Sequence, residues 1–322
     1  MNLAVWVARH GRRRPNDPAL ADGERVHADW GTFAARTAAA AAGLRDEFGL
    51  SPGDRVAILM RNRPEYLEAL FAIWHAGLVA VPVNARLHRD EIAYILDDSG
   101  TTIVVTDADH AGDIESLVGT VASLQAVVVA PGERWDRLTA SPPAVLANRQ
   151  PDDPAWLFYT SGTTGRPKGA TLTNRNLLMM SLSYFADIDP VMPHDSVLHA
   201  APLSHGAGMY GLPHVARGAV SVMPQAGGVD GAELVALLER WPGMSFFAAP
   251  IMVKRLASDA AVASANLSNL KTIIYGGAPM YLADLEDAIA VFGPRLAQIY
   301  GQGETPMTIT GSPASKGRGP SL

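Results

Sequence analysis

Residues 159–170 have the sequence Tyr-Thr-Ser-Gly-Thr-Thr-Gly-Arg-Pro-Lys-Gly-Ala. Hydroxyl side chains, glycines and one lysine dominate this stretch; they are Thr160, Ser161, Gly162, Thr163, Thr164, Gly165, Lys168 and Gly169. Glycine lets a backbone turn its N–H groups toward a ligand, hydroxyls donate to phosphate oxygens, and lysine adds a compact positive charge. Residues 156–159 are typical of a strand. The sequence therefore predicts a strand followed by a loop, and the loop would hold a polyphosphate.

The spacing of this loop differs from that of a Walker A loop, in which the lysine follows a glycine and precedes Ser or Thr. Lys168 instead follows Pro167 and precedes Gly169. A plain Ser/Gly surface loop is the alternative interpretation. The strand-like entry into the loop disfavours that alternative.

Short apolar runs typical of buried parallel strands recur along the chain. The predicted strands are Val56–Met60, Val79–Val83, Thr102–Thr106, Gln125–Ala130, Ser196–Ala201, Ser245–Pro250, Lys271–Tyr275 and Leu296–Tyr300. The predicted helices are Trp30–Phe48, capped by Asp29 and ended by Gly49, a helix with one apolar face from Pro64 to Gly77, Glu91–Asp98 and Asn174–Phe185. This alternation predicts an α/β fold with doubly wound, mostly parallel sheets and flanking helices.

We expect residues 1–310 to form two interwoven α/β subdomains. One would contain about residues 52–200, and the other about residues 1–51 plus 201–310. Residues 131–154 are rich in Pro, Arg and Asp and are predicted to be a surface connection. The Ser-, Pro- and Gly-rich residues 311–322 predict a flexible tail.

Composition excludes several classes of function. The 322 residues carry a net charge of −6, which argues against a nucleic-acid partner because phosphate backbones require a basic face. The chain has no cysteine, so a disulfide framework, a thiolate zinc site and a cysteine nucleophile are excluded. No apolar run approaches the roughly 18 residues of a membrane span, and the first residues do not resemble a signal peptide. We therefore expect a cytoplasmic protein.

Gly206, Gly208 and Gly211 match a Gly-x-Gly-x-x-Gly pattern, and Asp230 follows at about the distance of a dinucleotide fingerprint. The four residues 202–205, however, separate the predicted strand from the first glycine. The dinucleotide motif requires a tight turn from the strand into a helix. A dehydrogenase site is therefore disfavoured.

Two further loops follow predicted strands. Gly276-Gly277-Ala278-Pro279 comes after Lys271–Tyr275, and Gly301-Gln302-Gly303-Glu304-Thr305 comes after Leu296–Tyr300. In open α/β sheets, ligands bind beyond the carboxyl ends of the strands. Both loops are therefore candidate parts of a ligand site.

Four motifs together resemble those of the adenylate-forming enzymes, the superfamily of acyl-CoA synthetases, luciferases and nonribosomal-peptide adenylation domains. Residues 159–170 resemble the family's phosphate loop, and Pro202-Leu203-Ser204-His205 resembles the motif beside its acyl pocket. Gly276–Ala278 resembles the adenine-binding turn, and Tyr300–Glu304 resembles the Tyr-Gly-x-Thr-Glu motif. Gly303 departs from that motif, which has threonine there; Thr305 or backbone N–H groups would compensate, or contact with the α-phosphate would be weaker.

The resemblance implies an AMP-forming carboxylate–CoA ligase of the acyl-CoA synthetase branch that uses ATP, Mg²⁺ and CoA. The implied catalytic residues are Lys168, Thr160, His205 and Glu304, with Glu304 linked to Mg²⁺. The implied nucleotide-binding residues are Thr160, Ser161, Gly162, Thr163, Thr164, Gly165, Lys168, Gly276, Gly277, Ala278, Tyr300, Gly301, Gln302, Gly303, Glu304 and Thr305. The implied acid-binding residues are His205, Gly208, Met209, Ala249, Pro250 and Met252, although the apolar ones could equally be core.

The resemblance covers only the N-terminal portion of the family's large domain. The chain has no Thr-Gly-Asp ribose motif, hinge motif or C-terminal lysine motif, so we expect the isolated chain to be inactive or weakly active. One alternative is an adenylation domain or acyl-AMP ligase whose acceptor is a carrier protein; another is a non-catalytic nucleotide-binding fragment. An amino-acid substrate would need an acidic pocket residue, and none is evident near His205 or Ala248, which favours a plain carboxylic acid. The sequence also leaves a homodimer open.

Overall fold

A computed structural model of the chain describes residues 1–160, 165–225 and 228–314. The strands in these ranges are β1 (Pro18–Asp22), β2 (Arg25–Asp29), β3 (Arg55–Leu59), β4 (Val79–Pro82), β5 (Thr101–Thr106), β6 (Ala126–Val129), β7 (Pro154–Thr160), β8 (Lys168–Thr173), β9 (Ser196–Leu198), β10 (Val220–Met223), β11 (Met244–Ala248), β12 (Leu270–Tyr275), β13 (Leu296–Tyr300) and β14 (Thr310–Ser312). The helices are α1 (Val5–Arg13), α2 (Trp30–Phe48), α3 (Pro64–His75), α4 (Arg89–Asp98), α5 (Ala108–Glu115), α6 (Glu133–Thr139), α7 (Asn174–Asp187), α8 (Gly206–Arg217), α9 (Gly231–Arg240), α10 (Pro250–Ala257), α11 (Ala260–Ser264) and α12 (Leu282–Phe292).

The chain divides into two compact units, each assembled from separate segments. Unit 1 contains Met1–Asp17, Ala28–Leu178 and Leu203–His205. Unit 2 contains Pro18–His27, Met179–Pro202 and the described residues from Gly206 onward.

Unit 1 is built on a sheet with the strand order β6-β5-β3-β4-β7-β8. Its described strands pair in parallel, except that β8 runs antiparallel to β7 at the edge. Strands β3, β4 and β5 are mostly apolar and, apart from Arg55 and Thr102, buried, as expected for parallel strands covered on both faces. The predicted α/β fold class is confirmed in this unit.

Helix α2 begins and ends where the sequence predicts. The Asp29 carboxylate accepts a hydrogen bond from the Thr32 N–H at 2.7 Å, and Gly49 ends the helix in the left-handed conformation with φ of 67°. The helix packs against α3 through the ring edges of Phe33 and Phe71. Residues 1–17 and 28–51 lie in unit 1, whereas the sequence suggested a grouping of residues 1–51 with residues 201–310.

Helix α3 differs from its prediction of a single apolar face, because every residue along it is buried, including Glu65 and Glu68. Arg36 holds the Glu68 carboxylate through two hydrogen bonds of 2.7 and 2.9 Å, and the Trp135 indole N–H donates to it at 3.3 Å. A buried carboxylate is tolerated when its oxygens are paired in this way. The helix can therefore be covered on all sides.

The segment 131–154, predicted to be a surface connection, contains helix α6. The reason is Trp135, which is fully buried and anchors the helix to unit 1. A single large aromatic residue outweighs the polar composition around it.

Unit 2 is built on a sheet with the strand order β14-β13-β12-β11-β9-β10-β1-β2. Strands β1, β10, β9, β11, β12 and β13 pair in parallel, whereas β14 pairs antiparallel with β13. Residues 310–312 are thus an edge strand, so the predicted tail is wrong for residues 311 and 312, while residues 315–322 lie outside the described part of the chain. The strand predicted at 196–201 ends at Leu198.

No helix in the described part of the chain is both long enough and apolar enough to cross a membrane.

Candidate functional site

The stretch predicted to hold a polyphosphate connects two antiparallel strands. Thr160 is the last residue of β7 and lies opposite Lys168, the first residue of β8. The sequence did not predict β8, because Gly169 and the following short residues give little strand signal. The predicted phosphate ligands Ser161, Gly162, Thr163 and Thr164 lie outside the described residues.

Lys168 and Gly165 are both exposed in this hairpin. Among the described residues, the Lys168 ammonium has no hydrogen-bond or ion-pair partner, so its charge is available to an anion. Gly165 has φ of 97°, a conformation that favours glycine. The geometry around these residues therefore fits the predicted phosphate contact.

Side chains on the hairpin attach it to helix α4. The Tyr159 hydroxyl donates to the Asp98 carboxylate at 2.6 Å, and the Arg166 guanidinium lies 5.4 Å from the centre of the Tyr94 ring. Burial raises the pKa of Tyr159, and the neighbouring Asp98 carboxylate raises it further. The Tyr159 ring covers Gly169, where a Cβ would come within 2.9 Å of it. Asp98 belongs to none of the predicted motifs, because a carboxylate near a helix end is ordinarily solvated.

His205 is held beside the strand that leads into the hairpin. Its ring meets the Phe158 ring edge-on at 5.7 Å between centroids, and its Nδ1 lies 2.9 Å from the Ser204 hydroxyl. The neighbouring backbone is fixed because the Leu203 N–H donates to the Asn62 side chain at 2.9 Å. Burial lowers the pKa of His205, so the imidazole is neutral at pH 7. Asn62 was not among the predicted site residues, because it lies far from His205 in the sequence.

Gly206, Gly208 and Gly211, which match the dinucleotide pattern, all lie inside helix α8. The strand-to-helix turn of that motif is therefore missing, as the sequence predicted. Asp230 instead caps helix α9 by accepting a hydrogen bond from the Glu233 N–H at 2.9 Å. Gly208 and the predicted acid-binding residue Met209 are buried on α8.

The other three predicted acid-binding residues surround the start of helix α10. Ala249 is the N-cap and Pro250 is the first residue, where proline is well suited to a helix, so the predicted strand through Pro250 ends at Ala248 instead. Met252 is partly buried and packs against the apolar core of unit 2. A role for these residues in the acid pocket stays a prediction.

The predicted adenine-binding turn follows β12. Gly276 is buried, and a Cβ there would press on the side chain and carbonyl oxygen of Ile299 in the neighbouring strand. Gly277 has φ of 83°, and it and Ala278 are exposed. The turn therefore presents backbone without bulky side chains to solvent, a surface that suits a flat base.

The loop that follows β13 is closed by its own backbone. The Ile309 N–H donates to the Tyr300 carbonyl at 2.8 Å, and the Met307 N–H donates to the Gln302 carbonyl at 3.0 Å. The Thr305 hydroxyl lies 3.2 Å from the Gln302 N–H. Thr305 is thus engaged within its own loop, and Gly303 is buried.

Glu304 and Tyr300 are exposed on this loop, and the Tyr300 side chain is 60% exposed. Within the described residues, the Glu304 carboxylate has no hydrogen-bond or ion-pair partner. Because β12 and β13 are parallel neighbours, the predicted adenine-binding turn and this loop both follow the carboxyl ends of their strands and lie at the same end of the sheet.

A magnesium ion fits the Glu304 carboxylate, which offers hard oxygens that no cation of the described residues occupies. No cluster of three or more His, Asp or Glu side chains able to hold a metal occurs among the residues that the structure describes. Mg²⁺ commonly binds through one or two carboxylates together with nucleotide phosphates. The single carboxylate is consistent with that mode.

Comparison with known proteins identifies the family. The AMP-binding enzyme family matches residues 7–321. The chain belongs to this family. The superfamily resemblance found in the sequence is thereby confirmed.

Two curated relatives of this AMP-binding enzyme differ in their acyl acceptor. The chain is 36% identical over 306 residues to a feruloyl-CoA synthase from Amycolatopsis sp., covering 94% of the chain and 59% of that relative. It is 30% identical over 322 residues to a fatty acid–[acyl-carrier-protein] ligase from Streptomyces coeruleorubidus, covering 94% of the chain and 58% of that relative. The chain thus spans less than two thirds of the length of either relative.

A solved structure agrees with the fold of this AMP-binding enzyme. The inhibitor-bound N-terminal domain of FACL13 from Mycobacterium tuberculosis superposes with a TM-score of 0.84 at 26% identity. The superposition covers 95% of the chain and 77% of that domain. The predicted family fold is confirmed.

Proposed function

We propose that the complete protein uses Mg²⁺–ATP to convert a carboxylic acid into an acyl-adenylate and then transfers the acyl group to CoA. The observation that carries this proposal is the exposed Lys168 ammonium, which lies opposite Thr160 in the β7–β8 hairpin and has no partner among the described residues. An isolated lysine beside exposed glycine backbone suits a phosphate group. Membership in the AMP-binding enzyme family supports a nucleotide as the source of that phosphate.

In this proposal, residues of different loops bind different parts of Mg²⁺–ATP. Lys168, Thr160 and the hydroxyls of residues 161–164 bind the phosphates, while Gly276–Ala278 and Tyr300 contact the adenine. Glu304 would hold Mg²⁺, whose chemistry is to neutralise charge on the phosphates and orient them. The protein's contribution is mainly positioning and electrostatic stabilisation.

The substrate carboxylate would attack the α-phosphorus, and the bond from that phosphorus to the bridging oxygen would break to release pyrophosphate. The CoA thiolate would then attack the acyl carbon and expel AMP. Because a carboxylate is already ionised at neutral pH, the first step needs no general base. Neutral His205, whose pKa is lowered by burial, can therefore bind or orient the acid without accepting a proton. Gly208, Met209, Ala249, Pro250 and Met252 are proposed to surround the acyl group.

The test is carboxylate-dependent exchange of pyrophosphate into ATP by the full-length protein. We expect Lys168→Ala to reduce the exchange rate by about 100-fold, because it removes charge stabilisation at the reacting phosphate. Glu304→Gln should raise the Mg²⁺ concentration needed for half-maximal exchange.

The matched control is Lys254→Ala, which removes another exposed lysine that pairs with Asp284 at 2.8 Å outside these loops. It should leave the exchange rate unchanged. If Lys168→Ala and Glu304→Gln behave like this control, the site assignment is wrong.

A carrier-protein acceptor is the second candidate, and the relatedness to a fatty acid–[acyl-carrier-protein] ligase favours it. The two candidates share adenylation and differ in the thiol that receives the acyl group. Incubating the full-length protein with acid, ATP and either free CoA or a pantetheinylated carrier protein separates them. Thioester formation on CoA alone supports the first candidate, and formation on the carrier alone supports the second.

A non-catalytic nucleotide-binding role is the third candidate. Calorimetry with ATP and with a non-hydrolysable acyl-adenylate analogue tests it in the full-length protein. Binding of ATP without carboxylate-dependent exchange would favour this role, whereas tight binding of the analogue together with exchange would reject it.

A further inference from the structure

The loop from Tyr300 to Ile309 contains an unusual backbone conformation. Met307 has φ of 66°, and it is the only non-glycine residue with positive φ in the described part of the chain. L-residues rarely adopt this conformation, and it persists only where surrounding contacts enforce it. The contacts that hold Met307 therefore determine the shape of the loop that carries Glu304.

Gly301 supplies one of these contacts from within the loop. Its Cα faces the Met307 carbonyl so closely that an added Cβ would overlap the carbonyl oxygen. The side chain of Met307 extends toward Gly206, where a Cβ would come within 2.9 Å of the methionine Cε. The turn is therefore packed on both sides of Met307.

Tyr210 of helix α8 supplies a contact from outside the loop. Its hydroxyl donates to the Met307 carbonyl at 3.1 Å and lies 2.7 Å from the Thr308 hydroxyl. Tyr210 is 1% exposed, and its ring stacks on Phe247 with 5.4 Å between centroids. Because the ring is buried and stacked on Phe247, the hydroxyl is a rigid anchor for residues 307 and 308.

We infer that Tyr210 is a positioning residue, which fixes the 300–309 loop through its hydroxyl and thereby places Glu304 for Mg²⁺–ATP. The inference rests on the proposed function for the role of Glu304. The anchoring of the loop itself rests only on the contacts of Tyr210. Tyr210 touches neither the nucleotide nor the metal in this proposal, so it acts through the loop backbone.

Tyr184 provides a matched control for the hydroxyl. It is also buried, and its ring lies 5.9 Å from the Tyr210 ring. Among the described residues, however, its hydroxyl has no hydrogen-bond partner. Replacing either tyrosine by phenylalanine removes one buried hydroxyl, but only Tyr210→Phe removes a bond to the loop.

The first measurement is amide hydrogen exchange in the full-length protein, which does not depend on activity. The informative amides are those of Met307 and Ile309, which bond to the Gln302 and Tyr300 carbonyls. We expect Tyr210→Phe to speed their exchange by about tenfold, the effect of losing one buried hydrogen bond. Tyr184→Phe should leave their exchange within twofold of the wild type.

The second measurement is the Mg²⁺ dependence of carboxylate-dependent pyrophosphate exchange. We expect Tyr210→Phe to raise the half-maximal Mg²⁺ concentration by about tenfold, while the maximal rate at saturating Mg²⁺ changes less. Thr308→Val removes the Thr308 hydroxyl but keeps the bond from Tyr210 to the Met307 carbonyl, so it should raise the half-maximal Mg²⁺ concentration less. Thr308→Ser keeps a hydroxyl at this position and should behave like the wild type.

The outcomes separate the two proposals. If the wild-type protein does not exchange pyrophosphate into ATP, the proposed function is wrong. Amide hydrogen exchange would still test whether Tyr210 anchors the loop. An active protein in which Tyr210→Phe matches Tyr184→Phe in both measurements would overturn the positioning role. Faster hydrogen exchange of all protected amides in Tyr210→Phe would also overturn the positioning role. The hydroxyl would then stabilise the whole of unit 2 and not the loop in particular.

Discussion

The two candidate nucleotide loops share one topology but are held in different ways. Each follows a strand that pairs in parallel within its sheet, β7 in unit 1 and β13 in unit 2, and each returns as an antiparallel edge strand, β8 or β14. The contacts described for the first hairpin come from side chains that reach out to helix α4. Those of the second act on the loop backbone itself, through Tyr210 and Gly301.

This difference indicates how each loop should respond to mutation. A side chain that meets an obstacle can rotate away from it, whereas a backbone that meets an obstacle must move the residues bonded to it. The β13–β14 loop should therefore be the less tolerant of the two. The following predictions test this, from the largest expected effect to the smallest.

The largest effect is expected from adding one methyl group to a glycine of each loop. In Gly301→Ala, the new Cβ would overlap the Met307 carbonyl, so the loop must open and Glu304 must shift. We expect a loss of about 3 kcal/mol in the free energy of unfolding and a fall of about 100-fold in pyrophosphate exchange. In Gly169→Ala, the Cβ meets the tip of the Tyr159 ring at 2.9 Å, and rotation of that ring limits the cost to about 1 kcal/mol.

Denaturant unfolding and pyrophosphate exchange measure both variants. If Gly169→Ala and Gly301→Ala lose equal stability and equal pyrophosphate exchange, a backbone obstacle is no more damaging in these loops than a side-chain obstacle.

An intermediate effect is expected from acid, which acts on the side of unit 2 that holds Tyr210. His214 donates through Nδ1 to the Tyr210 carbonyl at 2.9 Å, and burial lowers its pKa to about 4. Burial likewise lowers the pKa of His199 to about 3, with His214 adding a smaller effect. Lys271 further lowers the pKa of His214, while the Tyr210 carbonyl and Asp195 raise it.

The sign of the pH dependence follows from these shifts. In the unfolded chain a histidine takes up its proton near pH 6.5, whereas these two take it up in the folded chain only at lower pH. Stability is therefore lost as the pH falls from about 6.5 toward the folded-state values, by about 1 kcal/mol per pH unit for each histidine.

Denaturant unfolding between pH 7 and pH 5 measures this loss. His214→Gln should make the pH slope shallower by about 1 kcal/mol per pH unit. An unchanged slope in His214→Gln would show that this histidine has the same pKa in the folded and the unfolded protein.

The smallest effect is expected at the attachment of the first hairpin. Tyr159→Phe removes the 2.6 Å hydrogen bond to Asp98 and should cost about 1 kcal/mol, since the acceptor is charged but exposed. We expect the KM for ATP to rise by a few-fold while kcat changes less, because the strand that carries Thr160 loosens. Tyr94→Phe is the control, because the Tyr94 hydroxyl lies 3.4 Å from Asp98 and forms at most a weak bond. A KM for ATP that responds equally in both variants would contradict a specific role for Tyr159.

Local signals predicted much of the fold. Helix α2 is bounded by a side-chain cap at Asp29 and a left-handed glycine at Gly49, and both features are readable in the sequence because they involve neighbouring residues. The apolar runs of β3 to β5 were recognisable because strands covered on both faces carry almost no polar residues.

Long-range packing accounts for what the sequence did not reveal. Helix α8 contains Pro213 and several glycines, which disfavour a helix locally. Close packing requires these small residues, since a Cβ on Gly211 would come within 2.7 Å of the His199 ring. Local propensity could not predict this, because His199 lies outside the helix.

The candidate site shows the same division. Lys168, Glu304 and the glycine turns were identified because each belongs to a short motif. Tyr210 and Asp98, which hold the loops, were missed because their partners lie 61 to 98 positions away in the sequence. Short motifs thus predict which residues would touch a ligand, whereas the side chains that hold these loops are visible only in the structure.

The strand β1 has a consequence for the order in which the molecule can assemble during synthesis. It belongs to unit 2, where it pairs with β10, although the ribosome makes Leu20 long before its partner Ser221. At about 5 to 20 residues per second, the wait is on the order of 10 to 40 seconds. During that time the segments of unit 1 up to β8 can already fold, while the β1–β2 segment still lacks its partner β10. Nascent chains arrested before β10 should therefore expose this segment to proteases and chaperones. Because the segments of the two units alternate along the chain, cutting the gene at one point cannot yield two independent domains.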